Sequence, residues 1–233
     1  MLRLDKLLGH CGFGTRKELK ALCKGGHVSV NGVICRNSAQ KIDAEADVVT
    51  VDGERVVYEE YCYLMLYKPA GVVSATEDNL SQTVLDLLPP QYRAARVFPV
   101  GRLDKDTTGL LLLTNDGVWA HNITAPKKHT DKVYTAIVDG EIPADVGKRF
   151  ASGIVLADGL HCLPAKAEAL AENTLRVIVH EGKFHQVKRM CAAVGLKVRQ
   201  LKRESIGALV LDAALAPGEF RPLTEAERQL PLV

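Results

Sequence analysis

Apolar positions in this chain change their period several times, and each change marks an element. Leu19, Leu22 and Cys23 recur at helical spacing, while Arg16, Lys17, Lys20 and Lys24 populate the remaining faces. Thr15 stands three residues before Glu18, so each side chain can satisfy the other's free backbone N–H, and Gly25-Gly26 tolerates a left-handed stop. A helix is therefore predicted to start at Thr15 and to end near Gly25. Alternation then takes over. Residues 28–30 and 33–35 flank Asn31-Gly32, the dipeptide that best supports a type I′ turn, and residues 48–51 and 55–57 flank Asp52-Gly53 in the same way.

Past the polar stretch Tyr58-Glu59-Glu60 the apolar runs lengthen. Residues 62–67 predict a strand meeting a turn at Lys68-Pro69-Ala70-Gly71, and residues 83–88 a short helix ended by Pro89-Pro90. The leucines at 110–113 predict a short buried strand, as do residues 133–138 and 175–179, whereas 144–150 and 186–194 have helical spacing. Strands and helices do not alternate regularly. An α+β fold with a mixed, mainly antiparallel sheet flanked by helices is expected, not a doubly wound parallel sheet. The predicted division is a small domain at 1–58, a linker at 59–61 and a larger domain at 62–233.

At 233 residues and 47% apolar content the chain can bury a sizeable core. Its net charge of +2 hides an asymmetry: Met1 to Lys41 carries eight Lys or Arg against two acids, so the rest is net acidic. A basic N-terminal module suits a polyanion. The six cysteines never form C-x-x-C, and no histidine lies where it would complete a zinc site, so free thiols in a cytoplasmic setting and no metal are expected. No apolar run is long enough to span a bilayer, so no membrane association is expected.

The most chemically suggestive stretch runs from Val100 to Thr114. It places Arg102, Asp104, Lys105 and Asp106 on a loop before a buried strand, where a scaffold can aim reactive groups at a ligand. The same residue types also make ordinary turns, so composition leaves both readings open; Asp106 reads as turn structure, and Arg102 as its ion-pair partner or as a ligand contact. Farther on, Val187, Met190, Cys191 and Val194 form an apolar stripe. Lys188 sits about 100° from Val187 and can pack its stem while presenting its amine.

Arg3-Leu4-Asp5-Lys6-Leu7-Leu8, with the basic helix and the Asn-Gly hairpin, resembles the S4 RNA-binding domain. Gly101-Arg102-Leu103-Asp104 followed by Thr107-x-Gly109-Leu110-Leu111-Leu112-Leu113-Thr114 resembles the catalytic loop of pseudouridine synthases, specifically the ribosomal small-subunit synthase A family. Lys68-Pro69-x-Gly71, Lys132-Val133-Tyr134, the run from Glu181 to Met190, Arg203-Glu204-Ser205-Ile206-Gly207 and the run from Leu215 to Leu223 are similar to further motifs of that family, so the likeness spans nearly the whole chain.

The resemblance implies a pseudouridine synthase fold behind an S4-like (α-L) module. It also implies conversion of a uridine, uridine 516 of 16S ribosomal RNA, to pseudouridine without any cofactor. Asp104 would be the catalytic carboxylate, attacking C1′ or supporting a glycal route; Lys188 its basic partner; and Tyr134 the aromatic that stacks on the base and takes part in proton transfer. Arg102, Arg189 and Lys68 would contact substrate near the reacting nucleotide, and Arg3, Lys6, Arg16, Lys17, Lys20 and Lys24 would contact phosphates. The implied partner of this monomer is 16S ribosomal RNA or a small-subunit assembly intermediate. Two alternatives stand: a non-catalytic S4-type assembly factor, and a synthase acting on 23S ribosomal RNA.

Overall fold

A computed structural model describes residues 1–232. The chain forms two compact units, Met1–Cys62 with Leu88–Val97, and Tyr63–Leu87 with Phe98–Val233.

The first unit contains β1 (Leu2–Arg3), α1 (Leu4–His10), α2 (Arg16–Gly25), β2 (Val28–Val30), β3 (Val33–Ile34), β4 (Lys41–Ile42), β5 (Val49–Val51), β6 (Glu54–Arg55) and α3 (Pro90–Ala94). Thr15 caps α2 with both halves of the reciprocal Thr15–Glu18 hydrogen bonding, and Gly26 ends the helix at φ +86°. Both predicted hairpins form. Asn31, Gly32, Asp52 and Gly53 all have positive φ, the twist that matches paired strands, and the sheet runs β3-β2-β5-β6. Leu4, Leu7, Leu8, Leu19, Cys23, Val28, Ile42 and Val49 make its core. The prolines behave differently from expectation. Residues Val84–Leu87 form only a 3-10 turn, and Pro90 starts α3, because its fixed φ and missing N–H suit the first helical position. The segment 88–97 then groups with the first unit, although it reads in sequence as part of the larger domain.

The second unit is built on a nine-stranded sheet: β7 (Tyr63–Lys68), β8 (Phe98–Pro99), β9 (Thr108–Thr114), β10 (Lys132–Asp139), β11 (Lys166–Ala171), β12 (Thr174–Val179), β13 (Lys197–Ile206), β14 (Leu209–Val210) and β15 (Phe220–Pro222). The main path is β11-β12-β10-β13-β9-β7-β15, antiparallel throughout except for the parallel β9–β13 pair. The mixed, mainly antiparallel α+β architecture is thus present. Among the described residues three α-helices accompany the sheet: α4 (Gly117–Thr124), α5 (Val146–Ala151) and α6 (Gln186–Ala193). Asp116 starts α4 by accepting from the N–H groups of Val118 and Trp119, and α4 then buries Trp119, Ala120 and Ile123 with Met65, Leu110 and Leu112.

Strand β13 is absent from a periodicity reading because Lys197, Arg199, Lys202, Arg203 and Glu204 interrupt its apolar positions. It is nevertheless central. Where it meets β9, Gly109 has φ +103°, and a β-carbon there would lie 2.2 Å from the Arg203 carbonyl oxygen. Gly109→Ala is therefore expected to cost more than about 3 kcal/mol, by backbone strain and forced separation of β9 from β13. Chemical denaturation checks this, and a loss below about 1 kcal/mol would show that the junction can relax.

Candidate active site

The loop from Gly101 to Thr107 leads into β9 and is clamped from several sides. Ser74 Oγ donates to the Leu103 carbonyl (3.0 Å) and accepts from the Leu103 N–H (3.1 Å), while the Gly71 N–H donates to the Lys105 carbonyl (2.8 Å). The Thr107 N–H closes the turn onto the Asp104 carbonyl (3.1 Å). At the end of β7, Lys68 is fully buried. Its ammonium donates to the carbonyls of Pro69 (2.9 Å), Lys105 (3.2 Å) and Thr107 (2.9 Å). Burial pushes its pKa down to about 8, against the opposing pull of Asp106 and Asp104. Lys68 therefore braces the loop, each of its three protons having a carbonyl acceptor.

The clamped loop aims Asp104 at α6. Lys188 Nζ lies 3.1 Å from Asp104 Oδ2 and 2.5 Å from Asp106 Oδ1, so one cation bridges both carboxylates. Burial disfavours the Lys188 cation, but hydrogen bonds to Asp106 and Asp104 outweigh it and raise the pKa. The hydrogen bond from Lys188 holds Asp106 below the usual carboxylate range. Asp106 is thus an ion-pair member, not simply a turn residue, and its partner is Lys188 and not Arg102. His185 adds a third contact, Nε2 to Asp104 Oδ1 at 3.6 Å. It precedes α6 at φ +48°, and its ring stacks on exposed Phe184 with 3.8 Å between centroids.

A cleft of about 860 Å³ opens over this cluster within the second unit, lined in part by Arg102, Asp104, Lys132, Tyr134, His185 and Arg203. That volume suits a nucleotide-sized ligand. Tyr134 is 9% exposed, on β10 directly opposite Arg203 of β13. Lys132, two residues earlier, shares its strand face. Arg102 is exposed at the cleft. The Arg189 guanidinium is paired with Asp158 at 2.5 Å and donates to the Phe184 carbonyl at 3.4 Å.

In the first unit Arg3 makes a two-pronged contact with buried Asp5 (3.0 and 2.6 Å), and Arg16 stands 3.9 Å from the same carboxylate. The Arg3 hydrogen bond lowers the Asp5 pKa despite burial. Arg3 therefore has a local partner that the basic pattern does not reveal. Lys6, Lys17, Lys20 and Lys24 are exposed. Among the described residues no group of three His, Cys, Asp or Glu is arranged to hold a metal, and no helix is long and apolar enough to cross a membrane.

Three residues of this site were given no site role by the sequence, although His185 and Arg203 lie within family motifs. Asp106 carried a signal, its spacing of two from Asp104, but no hint of a partner 82 positions away. His185 depends on a left-handed backbone conformation, and Arg203 on the pairing of two strands about 70 residues apart.

Residues 62–193 match the family described as RNA pseudouridylate synthase, and residues 2–49 match the S4 domain. An uncharacterised RNA pseudouridine synthase of Bacillus subtilis is 47% identical, with 98% of each chain covered. The ribosomal small subunit pseudouridine synthase A of Vibrio cholerae is 43% identical over 97% of both chains, and that of Escherichia coli 42% identical over 97% of this chain and 98% of the other. A crystal structure of a pseudouridylate synthase, 38% identical, superposes with a TM-score of 0.71 and full coverage of both chains. The chain belongs to the RNA pseudouridylate synthase family, with an S4 domain in front. It is an isomerase that makes pseudouridine in RNA.

Proposed function

We propose that this enzyme isomerises one uridine of 16S ribosomal RNA, uridine 516, with Asp104 acting on the sugar. The observation that carries the proposal is the placement of Asp104 in the cleft, 3.1 Å from the Lys188 ammonium, on a loop braced by Lys68 and Ser74. A small-subunit target is supported by two relatives named ribosomal small subunit pseudouridine synthase A, which share more than 40% identity over nearly the full length.

The reaction breaks the N1–C1′ bond, turns the uracil and joins C5 to C1′; C5 loses its proton and N1 gains one, so no co-reactant is consumed. Neither atom is reachable in a stacked helix, so the nucleotide must be extruded into the cleft. Arg102 can hold a backbone phosphate there. Tyr134 offers a ring face that retains the base while allowing it to turn, because stacking imposes no single hydrogen-bond pattern. The Phe184–His185 stack offers a second, exposed aromatic face for a neighbouring base. The S4 module, through Lys6, Lys17, Lys20 and Lys24, contributes salt-sensitive phosphate binding.

Mapping pseudouridine in ribosomal RNA from cells lacking the protein tests the target: loss of the single modification at uridine 516 is expected. Loss of a 23S site instead would reassign it, and an unchanged map would refute a ribosomal RNA target. Tyr134 has its own test, in tritium release from C5-labelled RNA under single-turnover conditions. Tyr134→Ala is expected to lower the rate by about 10²- to 10⁴-fold. If Tyr134→Phe falls equally, the hydroxyl moves a proton; if Phe restores most of the rate, stacking is the main role.

A further inference from the structure

The register between β10 and β13 places an unusual pair of cations beside Tyr134. Lys132 lies opposite Ile206 and Val133 opposite Ser205, so uninterrupted pairing would set Glu204 across from Tyr134. An irregularity at this point, of the kind produced by one extra residue in β13, shifts the register, and Arg203 stands there instead. Glu204 is turned to the other face, where it pairs with Lys202 at 2.9 Å. The bulge thus replaces a carboxylate by a guanidinium on the face of the sheet that carries Tyr134.

Arg203 is 2% exposed. Its Nε donates to the Leu110 carbonyl at 2.8 Å, but Nη2 has no hydrogen-bond partner in the protein, and neither does the buried Thr107 Oγ1 in the same cleft wall. No carboxylate lies within ion-pair distance of Arg203 or Lys132 among the described residues; Lys132 Nζ donates to the Thr130 carbonyl, and Asp131 acts on it only from farther off. Burial, with Arg203 nearby, pushes the Lys132 pKa down to about 8. A buried charge with unfilled hydrogen-bonding capacity is costly, and its retention beside a cleft calls for a role.

The charges are also segregated. The carboxylates Asp104 and Asp106 gather with Lys188 at the loop, whereas Arg203 and Lys132 gather around Tyr134 on the sheet. We infer that Arg203, assisted by Lys132, stabilises the negative charge that develops on uracil as its bond to the ribose breaks. This rests on the proposed reading in which Asp104 faces the sugar and Tyr134 the base. When N1–C1′ cleaves, its electron pair leaves with the base and spreads over N1, O2 and O4, while the sugar becomes electron-poor beside Asp104. When C5 then attacks C1′, that pair returns to bonding, the C5 proton departs and N1 is protonated. The cations act through a low-dielectric wall, where a preorganised charge needs no reorganisation as the reaction proceeds.

The test compares Arg203→Met, Arg203→Lys and Lys132→Met on one RNA fragment carrying either uridine or 5-fluorouridine at the target. Fluorine withdraws electrons, so fluorouracil bears the developing charge with less help. The readout is single-turnover glycosidic cleavage, followed by nucleoside digestion and mass spectrometry. Arg203→Met is expected to slow uridine about 100-fold or more with the half-saturating enzyme concentration changed little, to slow 5-fluorouridine about tenfold or less, and to be partly rescued in Arg203→Lys. Equal losses on both substrates would make Arg203 a purely structural anchor for the Leu110 carbonyl and overturn the inference. If Arg203→Met does not fold, as judged by thermal melting and RNA binding, Lys132→Met must show the same substrate asymmetry, and its absence overturns the inference equally. An active Asp104→Asn control would instead refute the assignment of the sugar side, which separates the two failures.

Discussion

Asp104→Asn is expected to lower the rate of pseudouridine formation by about four to six orders of magnitude while leaving RNA affinity within a few-fold of the parent. Asn has nearly the shape of Asp and keeps an acceptor oxygen for Lys188, so the cleft should survive. What is lost is the negative charge, which a nucleophile toward C1′ and a base in a glycal route both require. Tritium release under single-turnover conditions measures the chemical step, and filter binding of the same RNA measures affinity. Turnover within tenfold of the parent would remove Asp104 from the mechanism. A large loss of affinity would instead show that Asp104 holds the loop, although Ser74 and Lys68 already brace that loop without it.

The second large effect concerns Lys188. Its ammonium bridges Asp104 and Asp106, and its raised pKa keeps it charged throughout the neutral range. Lys188→Met leaves two neighbouring carboxylates without the cation that lies between them. Like charges at short range disfavour simultaneous ionisation, so the pair binds a proton more readily. The expected result is a fall in rate of about 10²- to 10⁴-fold at pH 7, with the acid limb of the pH–rate profile moved upward by about one unit or more. Lys188→Arg should restore the limb near its original place, since a guanidinium also spans two carboxylates. A lysine with a raised folded-state pKa stabilises the fold at all pH values below its unfolded pKa, and that contribution disappears only as the pH rises through the folded value. An acid limb unmoved in Lys188→Met would mean that the bridge seen here does not govern ionisation of the site.

These two residues also show how far local sequence reaches. The helix that carries Lys188 is visible from Val187, Met190 and Cys191, and the strand that follows Asp104 from four consecutive leucines. Helical spacing sets Lys188 apart from the apolar stripe. It does not reveal which carboxylate the amine meets, and the family resemblance named Asp104 without Asp106. The same division runs through the rest of the site. Lys68 was legible as part of a motif, yet its burial beneath the loop makes it a brace. Arg189 sits beside Lys188 in a basic pair, but Asp158 engages it from a distant loop.

By itself the sequence determined the capped basic helix at Thr15, both type I′ hairpins, the leucine-rich strand and the family motifs, because each depends on backbone preferences or periodicities spanning only a few residues. Tertiary structure alone decided the central position of β13, the irregular register that sets Arg203 and not Glu204 opposite Tyr134, and the left-handed His185 that brings imidazole to Asp104. Those features arise where segments tens of residues apart are forced to share one sheet and one cleft. Their energies come from burial and charge between distant groups, which local propensity does not encode.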